Sequence, residues 1–439
     1  MLVALSSALA LEKQSATSYH ARRVALGNEL HGGVAILFAA EEPVLDFDSY
    51  RQDSDFYYLT GWNEPGAALM LVGPASATEH QGQPTQAREY KEILFLPTRN
   101  LRTEQYTGAK MDASTPGVSH ITGIDNVESM TSLAADLNKL ISDDRRLALN
   151  IWTQPRAKAA DPLLDYTAAT LGTTATAPRD VTTLTLPLRE LKDAGEIELL
   201  KKASAASIAG QREMMRAVKP GETERTVAGA MTAAWFRQGC ERPSYAPIVG
   251  TGIDSTILHY SENVRTIQDS DIVVVDAACE YSMYASDITR TVPSNGHFTA
   301  RQREIYDIVL GAQKAAIEAF RAGKSKINDF SHRDPDTLDA VAFNYINTHG
   351  KDLHGQPLGK YWLHGLGHMV GIDVHDPAQY PAVLKPGMVF TIEPGVYIPE
   401  EKLGVRIECD FLVLPDGKLL DLDAELPHTA DEVEKAMQK

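Results

Sequence analysis

Short apolar runs bounded by glycine, proline or polar stretches punctuate the first part of the chain, at residues 34–38, 68–72 and 93–96. Runs of that length with such borders predict buried strands, and residues 147–151 read as a further one. Between the second and third runs, residues 73–90 are polar and without period, which predicts an exposed hairpin loop. Strands separated by helical patches predict an α/β layer on a parallel or mixed sheet.

The pattern changes near Leu186-Pro187. Asp193 followed by Glu196 is a helix-start signature, and residues 196–218 then run as a long helix that Lys219-Pro220-Gly221 stops. This change predicts a domain boundary at about residue 186, with an N-terminal α/β domain over 1–186 and a larger α/β domain over 187–439. In the larger domain Thr299 and Gln302 form a capping-box pattern. Ile305, Ile308, Val309, Ala312 and Ala316 follow at helical spacing, and Gly323 ends the run. Strand-like runs at 272–275, 388–392 and 411–414 alternate with the helices. No tandem repeat is visible, which excludes a solenoid.

Size and charge narrow the function. At 439 residues the chain is long enough for two or three domains. Lys plus Arg number 42 and Asp plus Glu 59, a net charge of −17 that repels phosphate backbones and argues against nucleic-acid binding. No apolar run approaches a membrane span. Three cysteines (Cys240, Cys279 and Cys409) with no Cys-x-x-Cys pair exclude a disulfide scaffold and a thiolate zinc site. Cys279 and Cys409 read as buried thiols acting as small hydrophobes. Any metal chemistry must then use oxygen and imidazole. The first ten residues, MLVALSSALA, have the small-residue ending of a secretory signal but no basic start. They read either as the tail of such a signal in an exported protein or as the first turn of a helix in a cytoplasmic one.

Chemistry-bearing residues concentrate in the second domain. Asp276 closes the apolar run that begins at Ile272, and Asp287 opens a second extended run. A hairpin between them would bring both carboxylates to one face. A carboxylate ending a buried aliphatic strand is costly unless it is paired or bound to a metal. His364, His368 and His375 fall within twelve residues, among glycines that permit close backbone approach. Glu393 follows the run 388–392, and Glu408 lies beside apolar Ile407 with Arg406 two residues earlier on the same strand face.

In type, order and context, Asp276, Asp287, His368, Glu393 and Glu408 resemble the five ligands of the dinuclear pita-bread metallopeptidases, which include methionine aminopeptidases, prolidases and aminopeptidase P. Four carboxylates and one imidazole suit two divalent metal ions, manganese first, with cobalt, zinc or iron also compatible. The resemblance implies that Asp287 and Glu408 bridge the ions, that Asp276 chelates one, and that His368 and Glu393 bind the other. A water shared between the ions would be the nucleophile. Residues 50–65 look like the N-domain signature of bacterial aminopeptidase P, and residues 257–260 and 286–291 are similar to that branch's histidine and metal segments. The likeness runs from about Tyr19 to about Lys435. It departs at Cys409, where relatives often carry an acidic residue. It departs again at Tyr106, where they often carry a tryptophan that reaches into a neighbouring subunit.

The resemblance therefore implies a pita-bread catalytic domain preceded by a smaller α/β domain. The implied activity is removal of the N-terminal residue from peptides with proline second, by a homo-oligomer. By resemblance and chemistry together, Glu393 acts as general base and then acid. His259, His364 and His375 hydrogen-bond the scissile carbonyl, the developing oxyanion and the proline-side carbonyl. Arg406 orients His375 or an acidic neighbour. Each histidine alone is equally readable as structural, and Arg406 as a plain ion pair within the sheet. Two other functions compete: a prolidase confined to Xaa-Pro dipeptides, and a metal-free pita-bread binding module. A prolidase needs a cation for the proline's free carboxylate, and Arg406 and Lys360 are the basic residues near the histidine cluster.

Overall fold

A computed structural model describes residues 11–42, 50–77, 79–80, 83–84, 86–144, 146–147, 150–155, 178–328, 331–332 and 334–438. The first ten residues, on which the export reading rests, lie outside these, as do Ala148 and Leu149 of the strand expected at 147–151. The chain forms two compact units, one of residues 13–188 and one of residues 189–439 with Leu11 and Glu12.

The first unit is built on a six-stranded mixed sheet. Its strands are β1 (Val34–Phe38), β2 (Ala68–Val72), β3 (Lys91–Leu96), β4 (Val127–Ser129), β5 (Ile151–Thr153) and β6 (Arg179–Asp180), in the order β4-β3-β2-β1-β5-β6. The three central strands pair antiparallel and the outer ones parallel. Every residue of β1 and β2 is buried, so their pattern is unbroken apolar rather than alternating. Among the described residues of 73–90, Ala75 pairs antiparallel with Arg88, and Glu79–His80 with Gln83–Pro84. Helix α1 (Ala16–Glu29) carries the fully buried Arg23, whose Nε and Nη2 donate to Glu92 at 3.0 and 2.9 Å. Within residues 50–65, Asp53 caps helix α2 (Ser54–Thr60) by accepting from the Phe56 amide, and Gly61 ends it at φ 61°.

In the second unit α3 (Ala194–Ala217) starts on the expected capping box of Asp193 and Glu196, and α5 (Ala300–Ala319) on that of Thr299 and Gln302. Helix α5 stops short of Gly323 because Phe320 turns to extended geometry (ψ 135°) with its ring buried. Helix α3 packs on α4 (Glu224–Arg237), and α5 on α6 (Leu338–His349). Strands β7 (Ile248–Thr251), β8 (Ile272–Asp276) and β9 (Thr289–Pro293) form one antiparallel sheet. Further on come β10 (Val389–Ile392), β11 (Gly395–Ile398), β12 (Leu403–Arg406), β13 (Cys409–Val413) and β14 (Leu419–Asp421). Of these, β10, β13 and β14 form a second sheet and β11 pairs with β12. One continuous core, including Trp235, Val275, Ile305, Phe390 and Phe411, joins helices and strands. Among the described residues no helix is long and apolar enough to cross a membrane.

The reading of Cys279 as a free thiol is corrected. Cys279 is joined to Cys240 in a disulfide, leaving Cys409 as the free, buried thiol. A separation of 39 residues carries no spacing signal from which this pair could be read.

Beside β13, the Nη2 of fully buried Arg290 lies 3.2 Å from His428 Nε2, which is also 3.2 Å from Cys409 Sγ. Burial, and then the Arg290 charge, push His428 down to about 4. An imidazole kept neutral in the fold but protonated below about 6.5 in the unfolded chain takes up a proton on unfolding. Its contribution is therefore intact above that pH and is lost as pH falls toward 4, by about 2 kcal/mol at pH 5. Urea unfolding at pH 7 and pH 5 measures this. The His428→Gln variant should lose less stability on acidification than the parent, and equal losses would refute the assignment.

Candidate metal centre

Strands β8 and β9 deliver the two aspartates. Asp276 pairs with Thr289, and Asp287, two residues before Thr289, falls on the same face by the period of two. The Tyr245 hydroxyl lies 2.5 Å from both Asp276 Oδ1 and Asp287 Oδ1, and its single proton serves one of them at a time. Glu408 sits between β12 and β13. Its amide donates to Thr289 O at 3.1 Å and its Oε2 accepts from Thr289 Oγ1 at 2.6 Å.

The histidine segment runs along β10. The Thr391 amide donates to His368 O at 2.9 Å, the His368 amide to Thr391 Oγ1 at 3.1 Å, and the Glu393 amide to Leu366 O at 2.9 Å. Gly367 allows this approach, since a Cβ there would stand 2.1 Å from Thr391 O. Asn328 grips the same loop: its Oδ1 accepts from the amides of Leu366 (2.8 Å) and Gly367 (3.3 Å), and its Nδ2 donates to Gly367 O at 2.6 Å.

These elements enclose a cavity of about 270 Å³ lined by all nine residues singled out in the sequence: Asp276, Asp287, His368, Glu393, Glu408, His259, His364, His375 and Arg406. Donor atoms of Asp276, Asp287 and Glu408 lie within 4.8 Å of one another, as do those of His368, Glu393 and Glu408, and those of Asp287, His368 and His375. Asp287, His368 and Glu408 thus each belong to two donor groups, and His375 comes closer to the ligand set than its sequence reading implied. His368 Nδ1 lies 3.1 Å from Met369 O, an acceptor, so Nδ1 carries a proton and Nε2 is the atom aimed at Asp287 (3.3 Å) and Glu393 (3.5 Å).

Electrostatics show what this arrangement lacks. Glu408 is pushed far up by burial and then by the charges of Asp287, Glu393 and Asp276. Burial, opposed by His368, lifts Glu393 to about 7. Burial alone would lower His368, but its bond to Asp287 and the Glu393 charge carry it to about 9. Four carboxylates face one guanidinium and one imidazolium, and protons make up the missing positive charge. Oxygen and imidazole donors in this number and spacing suit divalent ions, which would take the place of those protons.

Arg406 has taken the acidic neighbour rather than His375. Its Nη2 donates to Asp276 Oδ2 at 2.6 Å, its Nη1 to the Tyr397 hydroxyl at 2.8 Å and its Nε to Thr289 Oγ1 at 3.1 Å. Tyr397 in turn lies 2.8 Å from His364 Nε2, while His364 Nδ1 donates to Gly365 O at 2.7 Å. Both nitrogens of His364 are therefore engaged, and burial with the Arg406 charge pushes it down to about 4. His259 and His375 are exposed to the cavity and make no ring hydrogen bond among the described residues. The His375 ring stacks on His368 at 3.8 Å between centroids.

Fold and donor set define a class, the pita-bread metallopeptidases. The sequence matches Metallopeptidase family M24 over residues 198–415 and the aminopeptidase P N-terminal domain over residues 19–149. It is 32% identical to Xaa-Pro aminopeptidase of Escherichia coli strain K12 over 96% of this chain and 98% of that protein. With the Haemophilus influenzae Xaa-Pro aminopeptidase the figures are 33% identity over 88% of each. A zinc-substituted E. coli aminopeptidase P in complex with product superposes with a TM-score of 0.81 at 30% identity, covering 97% of this chain and 99% of that one. Proline aminopeptidase P II from Yersinia pestis gives 0.80 at 30% identity, covering 97% and 100%. The chain belongs to the Xaa-Pro aminopeptidase (aminopeptidase P) family.

Three site residues escaped the sequence reading. Tyr245 lies 31 and 42 residues from the aspartates it touches, in an aperiodic stretch, and Asn328 is 38 residues before the loop it grips. Tyr397 did have a signal, since the period of two places it on the face of Gly395. Removing a group that orients metal ligands typically costs 10–100-fold in metal affinity. Tyr245→Phe should therefore weaken metal binding by ~10-fold or more, read by competition against a chelator of known affinity. Unchanged affinity would show that the hydroxyl does not organise the aspartates.

Proposed function

We propose that the protein hydrolyses the bond between the first residue and a second-position proline in peptides, using two divalent ions, manganese or a close substitute. Asp276, Asp287, His368, Glu393 and Glu408 would hold them, with Asp287 and Glu408 shared. The observation that carries this reading is that the two donor groups made of these five residues share Glu408, while Asp287 Oδ2 lies 3.3 Å from His368 Nε2, the closeness two adjacent ions require. When bound, the ions would supply Lewis acidity that turns a water into a nucleophile near neutral pH.

The protein's own residues supply the rest. Glu393 receives the proton from the attacking water and delivers it to the proline nitrogen as the C–N bond breaks. His259 and His375, with free ring nitrogens, donate to the substrate carbonyl and to the oxyanion that develops on it. His364 joins them only by giving up its bond to Gly365 O. Arg406 fixes Asp276 and, through Tyr397, His364.

Peptide length separates this reading from a prolidase. A free proline carboxylate needs a cation, yet Arg406 is committed to Asp276 and Lys360 Nζ donates to Asp352 Oδ2 at 2.7 Å. Xaa-Pro-Yaa tripeptides should therefore be cleaved with kcat/KM at least equal to that of Xaa-Pro dipeptides, and Xaa-Ala controls poorly. Confinement to dipeptides would favour the prolidase.

A further inference from the structure

The loop that carries His375 is held by a buried charge cluster with no part in the chemistry above. Asp376 follows His375 directly, and its carboxylate is taken from two sides. Arg189 Nη2 donates to Oδ1 at 2.6 Å and Lys192 Nζ to Oδ2 at 2.8 Å, and the Lys192 and Asp376 side chains are each 1% exposed. Arg189 also reaches Asp373 Oδ2 at 2.6 Å. The same aspartate closes the loop on itself: the Asp373 amide donates to Asp376 Oδ1 at 3.2 Å, and the Asp376 amide donates to Met369 O at 2.9 Å. Gly371 packs so tightly here that a Cβ would stand 2.5 Å from Asp376 Oδ2. Lys192 is itself fixed, with its amide donating to Gly387 O at 2.9 Å and its Nζ to Arg189 O at 2.7 Å.

His375 has need of such an anchor. Among the described residues its ring makes no hydrogen bond, and the stack on His368 leaves both nitrogens free to slide in the ring plane. Its position must come from the backbone, and the backbone is pinned one residue away.

We propose that Arg189, Lys192 and Asp376 are positioning residues for His375, setting the place of its imidazole relative to the scissile carbonyl. This rests on the reading of His375 as a hydrogen-bond donor to the substrate. A donor displaced by about 1 Å can lose ~100-fold in rate without loss of binding, so the effect falls on kcat.

The test is a cycle of variants in the metal-loaded enzyme with an Xaa-Pro-Yaa substrate. Lys192→Met should lower kcat by ~10–100-fold, change KM by less than about threefold, and leave the metal content that of the parent. Lys192→Arg should recover most of the loss. The double variant Lys192→Met/His375→Ala should be no slower than His375→Ala alone, because the anchor acts through that ring. Should Lys192→Met not fold, Asp376→Asn, which keeps the shape, enters the same cycle with the same expected non-additivity. Additive losses with an impaired His375→Ala, or loss of metal in the Lys192 variant, would overturn the proposal alone. A fully active His375→Ala would overturn the reading of His375 and the proposal with it.

Discussion

Three buried carboxylates and a partly buried fourth around one cavity, balanced by a single guanidinium and a single imidazolium, are the constraint on which the rest of the catalytic unit depends. Carboxylates so close in a low-dielectric setting repel one another, and burial raises Asp276, Glu393 and Glu408 above the usual carboxylate range. The fold prevents their separation. Asp276 is locked in a sheet register against Thr289, and Glu408 is bonded to the same threonine through both its backbone and its side chain. Arg406 partly neutralises Asp276, and removing one partner of such a buried pair typically costs about 3–5 kcal/mol. Dications would resolve the remaining imbalance, which would make metal binding and local stability one problem rather than two.

Around that anionic base the protein separates groups that must be fixed from groups that must be free. Asn328 and Gly367 bring the histidine segment against β10 by backbone contacts, so His368 Nε2 and the Glu393 carboxylate face Asp287. Arg406, Tyr397 and His364 form a hydrogen-bonded row in which every polar atom on the His364 side has a partner. His259 and His375, by contrast, make no ring hydrogen bond among the described residues and stand at the cavity wall. A site that acts on a tertiary amide without an N–H of its own can address only the carbonyls, and free imidazole donors are suited to that.

Much of this was legible in the sequence, and what was not has physical reasons. Fully buried strands such as Val34–Phe38 and Ala68–Val72 announce themselves as unbroken apolar runs, and the capping boxes at Asp193 and Thr299 are local interactions. The five candidate donors stand out by their likeness to the family's ligands, helped at Asp276 and Glu393, where a carboxylate ends an apolar run. Contacts set by tertiary packing left no such trace. Tyr245 meets its aspartates from an aperiodic stretch, Cys240 pairs with Cys279 across 39 residues, and the choice of Arg406 between His375 and an acidic partner depended on a register that spacing does not encode. Helix α5 ends before Gly323 because burial of Phe320 outweighs the local stop signal.

The most direct test of the central claim is a titration of chelator-stripped protein with Mn²⁺, following bound metal and Xaa-Pro-Yaa hydrolysis together. A shared carboxylate cluster predicts no activity in the stripped protein and a rise that reaches its plateau at two bound ions per chain. Full activity without metal, or saturation with metal and no hydrolysis of the Xaa-Pro bond, would contradict it.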